Sequence, residues 1–409
     1  MAGGNRNIMK QIYLDNASTS FPKPREVAEA VFNYMTGMGS NIGRGSYASA
    51  YAAAEAVFNT RQLLCDFFGG EDAKNVVFTK NITEALNVLL RGLLRPGDHV
   101  LVSAMEHNAV MRPLQLLGRE LEPGEAAPLD AISFTRIPCD GEGNLQLDYL
   151  AKLLRPQTKA IVLTHASNVC GTLLPIEAVG AFCHKNGLIF ILDSAQSAGI
   201  LPINMQGLHI DALAFTGHKG LLGPQGIGGF VLREHMIDKV SPFIVGGTGS
   251  LSHTERTPRF MPDKFEAGTL NLPGIIGLGA GVRWLRERGL DNIRQHELAL
   301  AQQLLQGLLA LEKRGLVRIV GRRHCEQRLG VVSIAGGAAS AKDIAQVAHR
   351  LAQDYGIATR VGLHCAPNAH KTLGTYPTGT LRFSVGWHNT AAEVATALAA
   401  LEEVLRDGV

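Results

Sequence analysis

The sequence predicts an α/β fold, with a large domain carrying a mainly parallel seven-stranded sheet and a smaller α+β C-terminal domain. Three observations point there. From about residue 75 to 232, short apolar runs alternate with amphipathic segments, as expected for parallel strands with helices on both faces. The chain has 409 residues, beyond the size at which a single hydrophobic core stops growing. A stretch rich in glycine and proline, residues 242–270, interrupts the alternation, and long helical patterns follow it.

The strand candidates are Val76–Thr79, His99–Ser103, Ile132–Ile137, Lys159–Thr164, Leu188–Leu192, Asp211–Thr216 and Ile227–Leu232. Helical periodicity runs over Glu84–Leu94, Ala109–Leu121, Leu147–Leu154 and Ile176–Asn186. Residues 242–270, opening with Gly246-Gly247-Thr248-Gly249-Ser250, are too long for an ordinary connection and mark a functional or interdomain segment. Beyond them, Ile275–Arg288 and Asn292–Lys313 read as helices, Val317–Val320 and Gly330–Ile334 as strands. The helix Lys342–Tyr355, the strand Thr380–Val385 and the helix Ala391–Leu405 complete the pattern. The expected division is 23–272 for the large domain, with 1–22 and 273–409 forming the small one.

Composition excludes several classes. With 46% hydrophobic and 18% charged residues the chain is globular, not disordered. A net charge of +3 with no Lys/Arg run gives no reason to expect a nucleic-acid partner. Met1 to Lys10 is polar and carries no signal-peptide core, and no apolar stretch is long enough to span a bilayer. Six scattered cysteines without a CxxC pair suggest neither a metal site nor a disulfide framework, so a cytoplasmic location is expected.

The most informative segments are Asp193-Ser194-Ala195-Gln196 and Thr216-Gly217-His218-Lys219, each at the end of a strand candidate. In open α/β sheets ligands bind outside the carboxyl ends of the strands. A lysine and a carboxylate there suit pyridoxal 5'-phosphate: the amine forms a Schiff base with the aldehyde, and the carboxylate keeps the pyridine nitrogen protonated. Alone, an Asp after a strand is usually a turn former and a Lys in a Gly-rich loop is usually solvated. Their joint order carries the reading.

Four further segments bear on it. Val76–Ala85 is a strand, turn and helix start, which offers free N–H groups to a phosphate or is simply an ordinary cap. His107, in Ser103-Ala104-Met105-Glu106-His107-Asn108, could stack on a planar ring or act in acid–base chemistry. Asn168 ends another strand and could bond a substrate or cofactor oxygen. Cys365, in Arg360-Val361-Gly362-Leu363-His364-Cys365-Ala366-Pro367, lies in a loop expected to be exposed, where positive neighbours favour the thiolate.

On these segments the chain resembles the cysteine desulfurases of the class V, fold type I pyridoxal phosphate enzymes. The likeness runs from Tyr13-Leu14-Asp15-Asn16-Ala17 to Thr380-Leu381-Arg382-Phe383-Ser384 and includes Phe265–Asn271. It implies Lys219 as the Schiff-base lysine, Asp193 as the pyridinium partner and His107 as the catalytic ring-stacking residue. It implies Gln196 at the cofactor's phenolic oxygen and Thr83, Thr216 and His218 at its phosphate, with Thr269 delivered from the second subunit of a homodimer. Asn168, Arg360 and Arg382 would hold the substrate, and Cys365 would accept sulfur as a persulfide.

The compact spacing from Arg360 to Cys365 resembles members that hand sulfur to an acceptor protein. Two departures stand out. Tyr47 follows Arg44 where related enzymes often carry histidine, and Asn368–Gly374 resembles a less-characterised subgroup. Glu122–Asp130 reads as a surface insertion.

The expected activity is conversion of L-cysteine to L-alanine, with L-selenocysteine as an alternative substrate. An aminotransferase or β-eliminating lyase on the same fold is the competing reading, since one fold hosts many chemistries; Cys365 discriminates between them. The joint presence of Lys219, Asp193 and Cys365 argues against a non-enzymatic partner protein.

Overall fold

The computed structural model describes residues 11–43, 45–122, 124–338 and 343–406. Arg44, Pro123 of the insertion, the polar start Met1–Lys10 and the expected helix start Lys342 lie outside them.

In chain order the elements begin with β1 (Ile12–Tyr13), α1 (Arg25–Asn33) and α2 (Ala48–Phe68). The sheet region follows: β2 (Val76–Thr79), α3 (Ile82–Leu93), β3 (His99–Ser103), α4 (Asn108–Leu117), β4 (Gly118–Glu120) and β5 (Ile132–Ile137). Next come α5 (Tyr149–Leu153), β6 (Thr158–Thr164), α6 (Ile176–Asn186), β7 (Ile189–Asp193), β8 (Ala212–Thr216) and β9 (Gly228–Leu232). After residues 242–270 stand α7 (Leu272–Arg288), α8 (Leu290–Lys313), β10 (Val317–Val320), β11 (Val331–Gly336) and α9 (Ile344–Tyr355). The chain closes with β12 (Ile357–Ala358), β13 (Arg360–Gly362), α10 (Pro367–Thr372), β14 (Thr380–Ser384) and α11 (Ala391–Arg406).

The large sheet runs β2-β9-β8-β7-β6-β3-β5-β4. It is parallel except around β9, which pairs antiparallel with both β2 and β8. All seven expected strands are in it, and their ends agree within a residue. It has eight strands and not seven, because the helix expected to reach Leu121 stops at Leu117 and the chain turns into the edge strand β4. Gly118 makes that turn feasible: a Cβ there would stand 1.8 Å from the Ile132 carbonyl oxygen of the neighbouring strand. A helix-period pattern cannot reveal this close approach.

The central strands β7 and β8 are buried along their whole length because both faces of the sheet are covered. Alternate residues divide between two cores. Leu101, Ile161, Leu163, Phe190, Leu192, Leu213 and Phe215 face the side packed by α2, α6 and α7. Val100, Val102, Val162, Ile191, Ala212 and Ala214 face α3 and α4. The helix α7, placed by the sequence in the smaller unit, buries Leu272, Ile275, Leu278 and Val282 in the first of these cores and packs on α1 and α2.

The second sheet, β10-β11-β14-β13, is antiparallel. Ile319, Val332, Ile334, Leu381 and Phe383 pack there with residues of α8, α9 and α11. The N-terminal segment crosses to this sheet, with β1 parallel to β12 and Asp15 bridging Ser384. Through that crossing, chain ends remote in sequence meet at the carboxyl edge of the large sheet. Among the described residues no helix is long and apolar enough to cross a membrane.

Candidate active site

Asp193 is the last residue of β7, in register with Thr164 of β6 and Ala214 of β8. It is buried, and its carboxylate accepts a hydrogen bond from Ala195 N at 2.9 Å. Burial raises its pKa, while the Ala195 N–H and the charge of Lys219 pull it back. Lys219 follows the adjacent strand β8. Burial lowers its amine to about 8, against an opposing effect of Asp193. A half-buried lysine with a lowered pKa beside a buried carboxylate, each shifting the other, is a functional-site pattern.

The backbone of this lysine is gripped by the N-terminal segment. Ser20 N and Lys23 Nζ donate to the His218 carbonyl at 3.0 and 2.7 Å, and Ser20 Oγ donates to the Lys219 carbonyl at 2.9 Å. Gln196 is buried and donates through Nε2 to Ala17 O at 3.1 Å. With Lys219 it lines a cavity between the two sheets.

His107 caps α4, its Nδ1 accepting from Ala109 N at 3.0 Å. Nδ1 is therefore unprotonated, and Nε2 carries the ring proton. Burial, with the charges of Lys219, Arg112 and Arg382, lowers the ring to about 4, so it is neutral.

The structure brings Asn168, Arg360, Arg382 and Cys365 together through contacts that single segments do not disclose. Arg382 is buried; Nη1 donates to Asn168 O and Nη2 to Asp15 Oδ1, both at 2.9 Å. Its Nε is buried without a partner. Arg360 donates through Nε to both Asp15 oxygens at 3.2 and 3.0 Å, and through Nη2 to Ser18 Oγ. Asp15 thus aims both arginines, a role the sequence reading missed although it quoted the segment. Asn168 donates through Nδ2 to the His364 carbonyl at 2.6 Å. Its loop turns at Gly171 (φ 77°), where a Cβ would meet Val331 O at 2.6 Å.

Cys365 is exposed, unlike Cys65, Cys170 and Cys183, which are buried. His364 and Cys365 have φ of 47° and 58°, two successive non-glycine residues in the left-handed region at roughly 1–2 kcal/mol each. Tertiary bonds hold them there: Asn108 N donates to Cys365 O at 2.8 Å, and the His364 ring meets Thr380 Oγ1 at 2.9 Å. The expectation of positive neighbours fails for His364. Burial, with Arg382, His370 and Arg360, lowers its ring to about 2, so it carries no charge beside the sulfur. Arg360 spends its charge on Asp15.

The phosphate candidates divide into two places. Thr216 Oγ1 and His218 Nδ1 are buried and unpartnered, and His218 is held neutral, lowered to about 4 by burial, Lys219 and Lys23. Thr83 is exposed in the first turn of α3, a helix capped by Asn81 Oδ1 on Glu84 N at 3.0 Å. Thr269 is also exposed and lies in a surface cleft with Thr79, Lys80 and Glu84, away from the cavity lined by Lys219. Orphaned buried polar atoms beside a lowered lysine and a buried carboxylate fit a pyridoxal phosphate molecule. They would be costly in an empty apolar pocket.

Glu106 was also missed. It is fully buried, accepts from Thr164 N at 2.9 Å and from the Ser103 hydroxyl, and joins the ends of β3 and β6 behind Asp193. Burial pushes it up to about 8. Its signal was its place immediately before His107.

The model of the aminotransferase class V family matches residues 12–396. A probable cysteine desulfurase of Pyrococcus abyssi is 32% identical, over 97% of this chain and 94% of its own length. A cysteine desulfurase structure from Thermococcus onnurineus superimposes with a TM-score of 0.86 at 34% identity, covering 97% of this chain and 95% of that one. An Escherichia coli cysteine desulfurase gives 0.81 at 28% identity, covering 97% and 94%.

Proposed function

The chain belongs to the class V aminotransferases and, within them, to the cysteine desulfurase family, and on that premise we propose that it converts L-cysteine to L-alanine while Cys365 takes the sulfur as a persulfide. One observation carries the reading. A half-buried Lys219 and a buried Asp193 stand at adjacent strand ends, and an exposed cysteine is docked onto the turn that carries His107. An aminotransferase needs the first and has no use for the second.

Pyridoxal phosphate, the cofactor of the class, supplies an aldehyde for amines and a ring that absorbs the electrons left when an α-proton is removed. Lys219 would hold it covalently, and Asp193 would keep its ring nitrogen protonated. His107 would cover the ring, Gln196 would meet the phenolic oxygen, and Thr83, Thr216 and His218 would bind the phosphate. Arg382, through its unpartnered Nε, together with Arg360 and Asn168 would orient the substrate carboxylate. The freed Lys219 amine takes the α-proton, and burial, which lowers its pKa, favours the neutral form that this requires. The Cys365 thiolate attacks the substrate sulfur. The S–S bond forms, the C–S bond breaks with its electron pair left on the β-carbon, and protonation of that carbon followed by return of a proton from Lys219 to the α-carbon yields alanine. An acceptor thiol then takes the outer sulfur, and the exposure of Cys365 supports an acceptor protein.

The working unit is a homodimer in which Thr269 completes the partner's phosphate site. Two features support this. Tyr47 just before α2, Tyr51 and Phe58 of α2, and Phe243, Ile244, Val245 and Phe260 of the long segment are exposed, and large exposed apolar surface marks an association site. Phe58, Thr248 and Thr269 line one cleft. Tyr47, in place of the histidine common in relatives, would face the partner there. The compartment is the cytoplasm, which suits six cysteines that are all free.

The test supplies purified protein with L-cysteine, reductant and pyridoxal phosphate and measures alanine and sulfide together. Equal yields are expected. Cys365→Ala should abolish sulfide release while retaining α-deuterium exchange. A variant that still releases sulfide at the wild-type rate would remove Cys365 from its role.

A further inference from the structure

We propose that Asn368 is a positioning residue for the Cys365 nucleophile, clamping the cysteine loop to the turn that carries His107; the proposal rests on the sulfur-accepting role of Cys365. The loop and the turn are joined at two points. Asn108 N donates to the Cys365 carbonyl at 2.8 Å, and Asn368 Nδ2 donates to the Ala104 carbonyl at 3.0 Å. Each bond runs from one segment to the other, so Met105–His107 and Ala366–Pro367 are closed into one ring of contacts. Ala366 at its centre is fully buried, and Cys365 at its rim is exposed.

On the opposite flank Asn168 Nδ2 holds the His364 carbonyl, and Thr380 holds the His364 ring. The left-handed backbone at 364 and 365 is therefore fixed from both sides. Among these contacts Asn168 belongs to the substrate pocket, and the Asn108 bond is made by the main chain. Among the described residues, Asn368 is the side chain that hydrogen-bonds across the His107 flank of the loop. The helix that follows, Pro367–Thr372, is six residues long, too short to fix its own N-terminus without tertiary support.

The chemistry asks for this. Attack on sulfur needs the thiolate and the substrate aligned along the breaking bond, and a small misplacement of a reacting group costs rate out of proportion to its size. The carboxamide suits the task because a carbonyl oxygen must be met by a donor. An aspartate of the same shape offers none and would set a carboxylate against the Ala104 oxygen. The clamp also joins the two faces of the site, since it ties the segment of His107 to that of the nucleophile.

The experiment compares wild type, Asn368→Ala, Asn368→Asp and Cys365→Ala as cofactor-loaded protein. Sulfide release from L-cysteine, α-deuterium exchange into L-alanine, cofactor absorbance and alkylation of Cys365 by iodoacetamide are measured. Both Asn368 variants should lose sulfide release by roughly one to two orders of magnitude, with exchange and absorbance unchanged and Cys365 alkylated at an altered rate. Wild-type sulfide release in both, beside an inactive Cys365→Ala, overturns the proposal and leaves the function intact. An active Cys365→Ala overturns the function on which it rests. Equal loss of exchange and sulfide release, or loss of cofactor absorbance, makes Asn368 a general structural residue and also overturns the proposal.

Discussion

Lys219 and Asp193 lie at the buried ends of neighbouring strands, whereas Cys365 stands exposed on a loop whose backbone enters the left-handed region twice. Asp193 is placed by sheet register, and Lys219, just beyond the end of β8, by bonds from Ser20 and Lys23 to its own carbonyl and that of His218. The cysteine loop is held by groups from distant segments: Asn108, Asn168, Thr380 and, bonded to Asn368 of the loop, Ala104. The difference matches the chemistry. Proton abstraction needs a dry, unmoving site in which charges tune one another. Delivery of sulfur to an acceptor needs a nucleophile that another molecule can reach.

The comparison would break most decisively at Lys219. Lys219→Ala should abolish both α-deuterium exchange and sulfide release, a loss of at least about 10³-fold, whereas Cys365→Ala should abolish sulfide release alone. If Lys219→Ala kept its exchange activity, the proton-moving step would not belong to the strand ends.

Asp193 tests the same half less severely. Asp193→Ala should slow exchange by roughly two to three orders of magnitude, because the ring nitrogen loses the anion that holds its proton. Cys365 should remain as reactive to iodoacetamide as in wild type. A parallel fall in that alkylation would mean the two regions are not independently built.

The same division decides what could be read from sequence. The strand ends announced themselves because an apolar run has a period and an end, and Asp193 and Lys219 occupy two such ends. The eighth strand escaped because Gly118 is identified by its distance to Ile132 and not by its own neighbours. Cys365 could be found by loop composition, but its supports could not: Asn368 and Ala104 are far apart in sequence, and nothing local links them. The task of Asp15 is invisible in its own segment, since it exists only once Arg360 and Arg382 reach it from the other end of the chain. His364 was misjudged as a positive neighbour because burial, which neutralises it, is a property of the fold.

The smallest effect concerns the ionisation of Lys219 in the cofactor-free protein. Burial lowers its pKa from 10.5 to about 8; the carboxylates of Asp193 and Asp15 oppose this, and the charges of Arg382 and Arg360 assist it. Attachment of pyridoxal phosphate requires the neutral amine. The attachment rate should therefore rise with pH and level off above about 8, and each unit below that midpoint should reduce it about tenfold. A solvated lysine would keep the rate rising through pH 10. Asp193→Asn removes a negative charge that favours the ammonium form, so the neutral amine gains and the midpoint should move to lower pH. The measurement is the growth of visible absorbance after mixing, across that pH range, for both proteins. An unchanged midpoint in Asp193→Asn would show that the carboxylate does not act on the lysine and would uncouple the two strand ends. A midpoint near 10 would place the amine in water, making this half of the site as open as the cysteine loop.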